Sequence, residues 1–299
     1  MRDRDTMLTE SELQDILAKE RIVEFEEDIR LFTRYYLKKQ FASKSGRIVL
    51  TRVMKSIMWQ VYQRIKKGTE PRFIGNLRTF WYRYLKIVVS RIPKSHLGST
   101  DPYDVMTRLF SEMVSELKLF KYEDFDFTDE NWENRRIGDK RPEYLVFAEK
   151  TGWIRYLRML HERFGVSILA LGGFPSSLSS EYTVRDLKTK LSEGQKVHLI
   201  GIVDYDYSGH IIAHSFRSQL EEVGLPIAGM EMLIEPPNYK PDELELYKYP
   251  LPRRQKTKLQ RWLKETGGIH GEAFGLESES MPLHRLDRLF EEFFREEVR

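Results

Sequence analysis

Residues 197–209 read Val-His-Leu-Ile-Gly-Ile-Val-Asp-Tyr-Asp-Tyr-Ser-Gly, an apolar run that ends in two aspartates. A short run that is apolar on both faces is typical of a strand in a parallel sheet covered by helices. Because side chains alternate along an extended chain, Asp204 and Asp206 are expected to point to the same side at the carboxyl end of this strand. Ligands bind at that end in open α/β sheets. The stretch therefore predicts an α/β fold with an acidic site at one edge of the sheet.

The neighbouring sequence extends this pattern. Apolar runs at 144–147 and 166–171 predict further strands, and they alternate with predicted helices at 151–164, 183–191 and 208–223. Such alternation predicts a mainly parallel sheet flanked by helices, and charged helical segments at 256–266 and 283–294 follow it. The first predicted strand ends just before Glu149, so Glu149 is expected to meet Asp204 and Asp206 at one edge. Three carboxylates of this kind suit Mg²⁺, although an Asp-x-Asp at a strand end also commonly caps the next helix.

The first part of the chain has a different character. Between Lys44 and Lys94 there are thirteen basic residues and one acid, Glu70, together with seven aromatic side chains. Helices are predicted over residues 6–40, 48–66, 77–89 and 101–120, with Thr9 and Glu12 as a capping box and 90–102 as a loop or a small wing. Short helices with a basic middle favour a helix-turn-helix or winged-helix module that binds nucleic acid, while a solvated helix face is the plainer alternative. The bases are Lys44, Arg47, Arg52, Lys55, Arg64, Lys66, Lys67, Arg72, Arg78, Arg83, Lys86, Arg91 and Lys94, and the aromatics are Trp59, Tyr62, Phe73, Phe80, Trp81, Tyr82 and Tyr84.

Together these patterns predict a chain with α+β and α/β parts. We expect an N-terminal helical arm at 1–42, a winged-helix, CAP-like DNA-binding domain at 43–122, an acidic linker at 123–142, and the sheet domain with its helical C-terminal extension at 143–299. The chain has 299 residues and no cysteine, so disulfides and cysteine-based zinc sites are excluded. It has no long apolar run, and the charged segment Met1–Asp5 is unlike a signal peptide. These features predict a cytoplasmic, nucleoid-associated protein without a membrane span.

The acidic residues and their surroundings resemble a known family. Leu145-Val146-Phe147-Ala148-Glu149-Lys150, the segment Gly172-Gly173-Phe174-Pro175 and the run Asp204-Tyr205-Asp206-Tyr207-Ser208-Gly209 are similar to the Toprim domain. More narrowly, they resemble the version of this domain in the topoisomerase VI A subunit and its relative, the eukaryotic meiotic double-strand-break protein. In that family a proline usually stands where this chain has Tyr207.

A second signature of that family lies in its winged-helix domain, where an arginine precedes the catalytic tyrosine by four residues. Asn76-Leu77-Arg78-Thr79-Phe80-Trp81-Tyr82 matches this spacing, and Arg78 and Tyr82 share one face if the segment is helical. Tyr84 is the second candidate and Tyr62 fits less well. Aromatic residues at such spacing are more often part of a core than catalytic, so this assignment depends on the resemblance of the acidic half.

The resemblance implies a mechanism. In the family two A-type subunits form a homodimer, and the tyrosine of one works with the Mg²⁺ site of the other. Carried over, Tyr82 attacks a backbone phosphate of double-stranded DNA and forms a 5′-phosphotyrosyl link, assisted by Arg78. Glu149 acts as general acid or base or as a metal ligand, and Asp204 and Asp206 hold Mg²⁺. The chain has no phosphate-binding loop of an ATPase, and in the family that activity belongs to a separate B subunit.

Two other interpretations stay open on the sequence. A Toprim nuclease would hydrolyse DNA with an activated water, leaving Tyr82 structural. A non-catalytic protein would use the basic segment to bind DNA or to organise a complex. His210 and His214 have the spacing of a zinc-binding helix, but no third ligand is evident, and helix packing is the favoured explanation.

Overall fold

The chain divides into two compact units in the computed structural model, Met1–Glu130 and Asn131–Arg299. The structure describes residues 8–71, 75–252 and 256–296. Met1–Asp5, Arg72 and Phe73, which enter the sequence-based expectations, lie outside these ranges. The boundary between the units falls within the predicted linker at 123–142, and the residues on both sides of it are folded: Phe125 and Phe127 are buried in the first unit, and Arg135 begins a strand of the second.

The first unit is helical. Its helices are α1 (Glu10–Glu20), α2 (Arg34–Phe41), α3 (Leu50–Lys66), α4 (Leu77–Phe80), α5 (Lys86–Val89) and α6 (Pro102–Ser115), with a π-helical segment (Trp81–Leu85) joining α4 to α5. The predicted capping box is present, since the Glu12 N–H donates to the Thr9 hydroxyl and the Thr9 N–H donates to the Glu12 carboxylate. These caps fix the start of α1.

The predicted helix over residues 6–40 is broken. Arg21 adopts a left-handed conformation with φ 55°, and this ends α1. Beyond it, Phe25 and Phe32 are buried with their rings edge to face, 4.9 Å apart. The Val23 N–H donates to the Ser56 hydroxyl on α3 over 2.9 Å. The stretch predicted as a separate arm therefore packs on α3 and belongs to the same core.

An aromatic core holds this unit together. Phe110 on α6 stacks on Tyr122 at 5.3 Å and meets Phe80 at 5.6 Å, and Phe125 stacks on Phe127 at 5.4 Å. Each such pair contributes about 1 kcal/mol beyond the area that it buries. Among the residues of this unit that the structure describes, strand-like pairing is confined to two isolated bridges, and 90–101 contains only a short 3-10 turn. A winged helix is therefore not confirmed.

One of the basic residues in the 44–94 segment lies in the interior of the first unit. Lys55 is only 5% exposed, and its ammonium group lies 2.7 Å from a Glu20 carboxylate oxygen and 2.5 Å from one of Glu112. Burial opposes its charge, but the two acidic partners outweigh burial and raise its pKa. Lys55 thus ties α1 and α6 to α3 and is not available to DNA.

The second unit is built on a five-stranded sheet. Its strands are β1 (Arg135–Arg136), β2 (Arg141–Ala148), β3 (Val166–Ala170), β4 (Val197–Ile202) and β5 (Ile227–Met232), in the order β1-β3-β2-β4-β5. Strands β2 to β5 are parallel, and only β1 is antiparallel to its neighbour. The mainly parallel sheet predicted from the sequence is confirmed.

Helices cover both faces of this sheet. Leu157 and Leu160 of α7 (Ile154–Phe164) pack on one face, and α8 (Ser177–Lys188) and α9 (Tyr207–Glu222) pack on the other, where Phe216 of α9 contacts Phe147 at 5.0 Å. The chain passes from β2 outward to β3 and then returns across the sheet to β4. The strand order therefore reverses between β2 and β4, and in open α/β sheets such a reversal leaves a crevice at the carboxyl ends of the two strands.

The C-terminal segment completes the core on the α7 side. It comprises α10 (Pro241–Tyr247), β6 (Tyr249–Pro250), α11 (Lys256–Thr266), β7 (Phe274–Gly275) and α12 (Leu283–Glu296). Trp262 of α11 and Phe290 of α12 are fully buried in the same cluster as α7. In the described part of the chain, no helix combines the length and apolar character needed to cross a bilayer.

Candidate metal centre

The acidic residues predicted from the sequence lie at the reversal of strand order. Strands β2 and β4 run in parallel with Ala148 beside Ile202, and the Glu149 N–H donates to the Ile202 carbonyl over 3.2 Å. Glu149 directly follows β2, and Asp204 follows β4 by two residues. The parallel register therefore brings both carboxylates to the same crevice, as the sequence predicts.

Asp204 is nearly buried and is held from two sides. One of its carboxylate oxygens accepts the Ser278 N–H over 2.8 Å, and the other lies 3.1 Å from the Lys150 ammonium group. Burial of this side chain, which is 8% exposed as a residue, opposes ionisation. The hydrogen bonds from Ser278 and Lys150 outweigh burial, so that the pKa of Asp204 is lowered. Asp204 is thus an ionised, oriented carboxylate.

Asp206 caps the helix that follows β4. Its carboxylate accepts the Gly209 N–H over 2.8 Å, and the Tyr249 hydroxyl donates to its second oxygen over 3.3 Å. The glycine is required here because a Cβ at position 209 would stand 2.1 Å from the Asp204 carbonyl oxygen. The capping role that the sequence left open is therefore present, and one Asp206 oxygen still faces a single weak donor.

Glu149 has the feature expected of an incomplete ligand set. Its Oε2 atom is buried and has no hydrogen-bond partner among the described residues. Burial raises the pKa of Glu149, and the charge of Asp204 raises it further. An unsatisfied buried carboxylate oxygen costs free energy unless a proton or a cation compensates it.

The C-terminal segment contributes residues that sequence reasoning missed. The Lys150 ammonium group lies 2.7 Å from Glu277 and 2.8 Å from Glu279, in addition to its contact with Asp204. Burial opposes its charge, but these partners raise the pKa of Lys150. In the sequence, the two glutamates are marked only by the alternation Glu277-Ser278-Glu279. It carries little information, because the contacts join positions more than 120 residues apart.

Five carboxylates and one ammonium group therefore share this edge of the sheet. Within residues 8–71, 75–252 and 256–296, no three histidine, aspartate or glutamate side chains are already arranged to hold a metal ion. The donor set nevertheless fits Mg²⁺ in type: its oxygens are hard, Asp204 is oriented, and Glu149 has a buried oxygen without a partner. Lys150 supplies the cation that balances Asp204 in this arrangement.

The candidate tyrosines of the first unit differ in burial. Tyr84 is 7% exposed, and its hydroxyl donates to Glu70 over 2.6 Å. Burial and the Glu70 charge raise the pKa of Tyr84, and burial likewise raises that of Tyr62. Tyr82 is 55% exposed and lies in the π-helical segment, with the Lys86 ammonium group 4.5 Å from its ring centre. Of the three, Tyr82 is the one that is largely exposed to solvent.

Neither a protein-family model nor a curated protein matches the chain.

Proposed function

We propose that this protein is a magnesium-dependent DNA-cleaving enzyme similar to the topoisomerase VI A subunit, and that Tyr82 is its nucleophile. The observation that carries the proposal is the convergence of Glu149 and Asp204, with Asp206, at the carboxyl ends of β2 and β4. This position at a reversal of strand order is a ligand site on general grounds, and carboxylates there suit a cation that also takes phosphate oxygens.

Asp204 and Asp206 would hold Mg²⁺, with Glu149 as a further ligand or as a general acid or base. The ion supplies charge that stabilises a phosphoryl group under attack. Asp204 is suited to its role by its lowered pKa and by the Ser278 N–H that orients it. Glu149, whose pKa burial raises, is suited to hold a proton and to return it.

Tyr82 has the access that a nucleophile needs. Its side chain is half exposed, and Arg78 and Lys86, four residues to either side, are exposed as well. Exposed cations on the same side of this helical segment as Tyr82 attract a phosphate of the DNA backbone. π-Helical segments are uncommon and occur frequently at functional sites, which agrees with this assignment.

The proposed step conserves atoms and charge. The Tyr82 oxygen forms a bond to a backbone phosphorus, the bond from phosphorus to the 3′-oxygen breaks, and the tyrosine remains on the 5′-phosphate. The phenolic proton leaves to a base, and the departing 3′-oxygen accepts a proton, for which Glu149 is the candidate donor. Reversal of the step reseals the strand without an external energy source.

The partners follow from the same proposal. Eight of the twelve basic residues from 44 to 94 that the structure describes are exposed and supply a surface for the phosphates of double-stranded DNA. Two breaks need two tyrosines, so a homodimer is proposed, and a separate ATPase subunit is a further candidate partner. The exposed bases are Lys44, Arg47, Lys66, Lys67, Arg78, Arg83, Lys86 and Lys94.

The test is cleavage of supercoiled plasmid in Mg²⁺, stopped with detergent and divided into samples with and without protease digestion. We expect linear DNA that stays attached to protein until the protease releases it. Tyr82→Phe and Asp204→Ala should each abolish it. Tyr84→Phe is the matched control, since it removes a buried hydroxyl from the same helix and should still cut.

Other outcomes would replace the proposal. If Tyr82→Phe cuts as well as the wild type while Asp204→Ala does not, the protein is a hydrolytic nuclease that uses water. If the wild type binds DNA without cutting it, even when purified with any partner that it retains, the DNA-binding scaffold is the better description.

A further inference from the structure

Phe174 is an exposed aromatic side chain beside the candidate metal centre. It is 64% exposed and follows β3, the strand next to β2. One exposed apolar side chain needs no explanation by itself. Its position does, because the loop that carries it lies at the carboxyl edge of the sheet, where Glu149 is found.

The backbone of this loop is fixed on both sides of Phe174. Ahead of it, the Gly173 N–H donates to the Glu149 carbonyl over 2.9 Å. Behind it, the Pro175 carbonyl accepts from the Gln219 side-chain amide over 3.2 Å. Gly172 and Gly173 have φ of 72° and 112°, values that side chains rarely allow, and they make the turn between these anchors. The ring is therefore presented to solvent by a rigid support.

The anchors also fix how far Phe174 lies from the acidic edge. Phe174 is the next residue after the one bonded to Glu149, and neighbouring Cα atoms are about 3.8 Å apart. The ring thus lies within roughly 10 Å of the Glu149 backbone. Because bases rise by about 3.4 Å per nucleotide along a strand, this distance corresponds to about three nucleotides from a phosphate at Glu149.

We infer that Phe174 stacks on a nucleobase close to the phosphate that the acidic edge holds, and so positions the DNA strand for cleavage. The inference rests on the proposed function. It adds a contact to the base, which neither the carboxylates nor the basic surface provides. In a duplex the ring reaches a base by entering a base step and partly unstacking it. An aromatic ring stacks on any base, so the contact fixes the strand without selecting a sequence.

A nucleobase suits this side chain better than a protein partner. Protein interfaces need a contiguous patch of several hundred Å², with a cluster of large side chains at its centre. The residues beside Phe174 in the loop are Gly172, Gly173, Pro175 and Ser176, so Phe174 carries the one aromatic ring of the loop. The flat face of one ring can stack on the flat face of one base.

The test measures binding of a 30-base-pair duplex that carries 2-aminopurine, in Mg²⁺, together with the yield of plasmid breaks. Phe174→Ala should weaken binding about tenfold, lower the yield of breaks and remove the change in 2-aminopurine fluorescence. Phe174→Trp should keep all three close to the wild type, and Phe174→Leu should behave like Phe174→Ala. Met159→Ala is the matched control, because Met159 is 57% exposed half-way along α7, away from the strand ends.

The possible results distinguish the stacking contact of Phe174 from the proposed cleavage of DNA. If the wild type cuts DNA and Phe174→Ala binds and cuts equally well, the stacking inference is wrong while the proposed function stands. If Phe174→Leu restores binding as fully as Phe174→Trp, and Phe174→Ala changes the sedimentation of the protein, the ring is a contact between protein chains instead. A wild type that neither binds nor cuts DNA overturns both.

Discussion

Replacing Lys150 by methionine tests whether its ammonium group and a divalent cation compete for Asp204. The substitution keeps most of the length of the side chain and removes the charge that lies 3.1 Å from Asp204, 2.7 Å from Glu277 and 2.8 Å from Glu279. The two glutamates are 50% and 62% exposed, so solvent screens their share and each pair contributes a few tenths of a kcal/mol.

The ion pair between Lys150 and Asp204 accounts for most of the stability that the substitution removes. Its side chains are 28% and 10% exposed, between the surface case and the fully buried case. Leaving Asp204 without its cation should therefore destabilise the second unit by about 2 kcal/mol in the absence of metal. For a domain of this size the melting temperature falls by about 2–4 °C per kcal/mol, so we expect a decrease of roughly 4–8 °C in EDTA.

Magnesium should reverse this effect. With Lys150 gone, Asp204 has no competing cation, and an ion that binds there should bind about tenfold more tightly than in the wild type. The assay is thermal unfolding in EDTA and across a Mg²⁺ titration, in which the stabilisation rises with the ratio of Mg²⁺ concentration to its Kd. Lys190→Met is the matched control, since Lys190 pairs with Asp139 at the surface. An unchanged or weaker Mg²⁺ response in Lys150→Met would refute the competition.

Three further predictions concern other parts of the chain. Gly209→Ala places a Cβ 2.1 Å from the Asp204 carbonyl oxygen, so it should destabilise the second unit by about 2 kcal/mol and abolish Mg²⁺-dependent cleavage. Gly152→Ala is the control: a Cβ there meets no described atom within 4 Å, so the variant should be as stable and as active as the wild type. Lys55→Met leaves two carboxylates without their cation and should lower the free energy of unfolding of the first unit by about 3 kcal/mol in urea denaturation. Burial, with the charge of His210, lowers the pKa of His214 from 6.5. The unfolded chain therefore binds a proton that the folded chain excludes, so the free energy of unfolding is higher above pH 6.5 and falls as the pH decreases through the folded pKa. His214→Gln should reduce this pH dependence when the free energy of unfolding is measured from pH 5 to 8.

The sheet could be predicted where both faces of a strand are buried. β2, β3 and β4 each contain a mostly apolar run, and their bounds agree with the predicted strands to within a few residues. β5 was missed because it is an edge strand with exposed residues, including Glu231, among its apolar ones. Its sequence pattern resembles that of a loop, and the segment becomes a strand because it pairs with β4. The helix predicted at 256–266 has the bounds of α11.

The candidate site was predicted only as far as the local pattern reaches. Glu149, Asp204 and Asp206 each follow a predicted strand, and the geometry of a parallel sheet brings such residues together. Glu279 lies in a short 3-10 segment of the C-terminal region and Glu277 directly precedes it. The position of this segment depends on an antiparallel bridge between Tyr205 and Leu276. No periodicity marks that bridge, so a single sequence could not place the two glutamates beside Lys150.

Burial distinguishes Tyr82 from Tyr84, the two tyrosines that the sequence leaves as candidate nucleophiles. Residues 78, 82 and 86 recur every four positions on the exposed side of the helix, whereas Phe80 and Tyr84 lie on its buried side. A phosphate must reach the attacking oxygen, and the Tyr84 hydroxyl is engaged by Glu70, whose negative charge also opposes ionisation of the phenol. Tyr82 meets both requirements, access and neighbouring positive charge. If a covalent adduct with DNA forms, it should therefore be found on the peptide that contains Tyr82, and mapping it to Tyr84 would require the helix to open first.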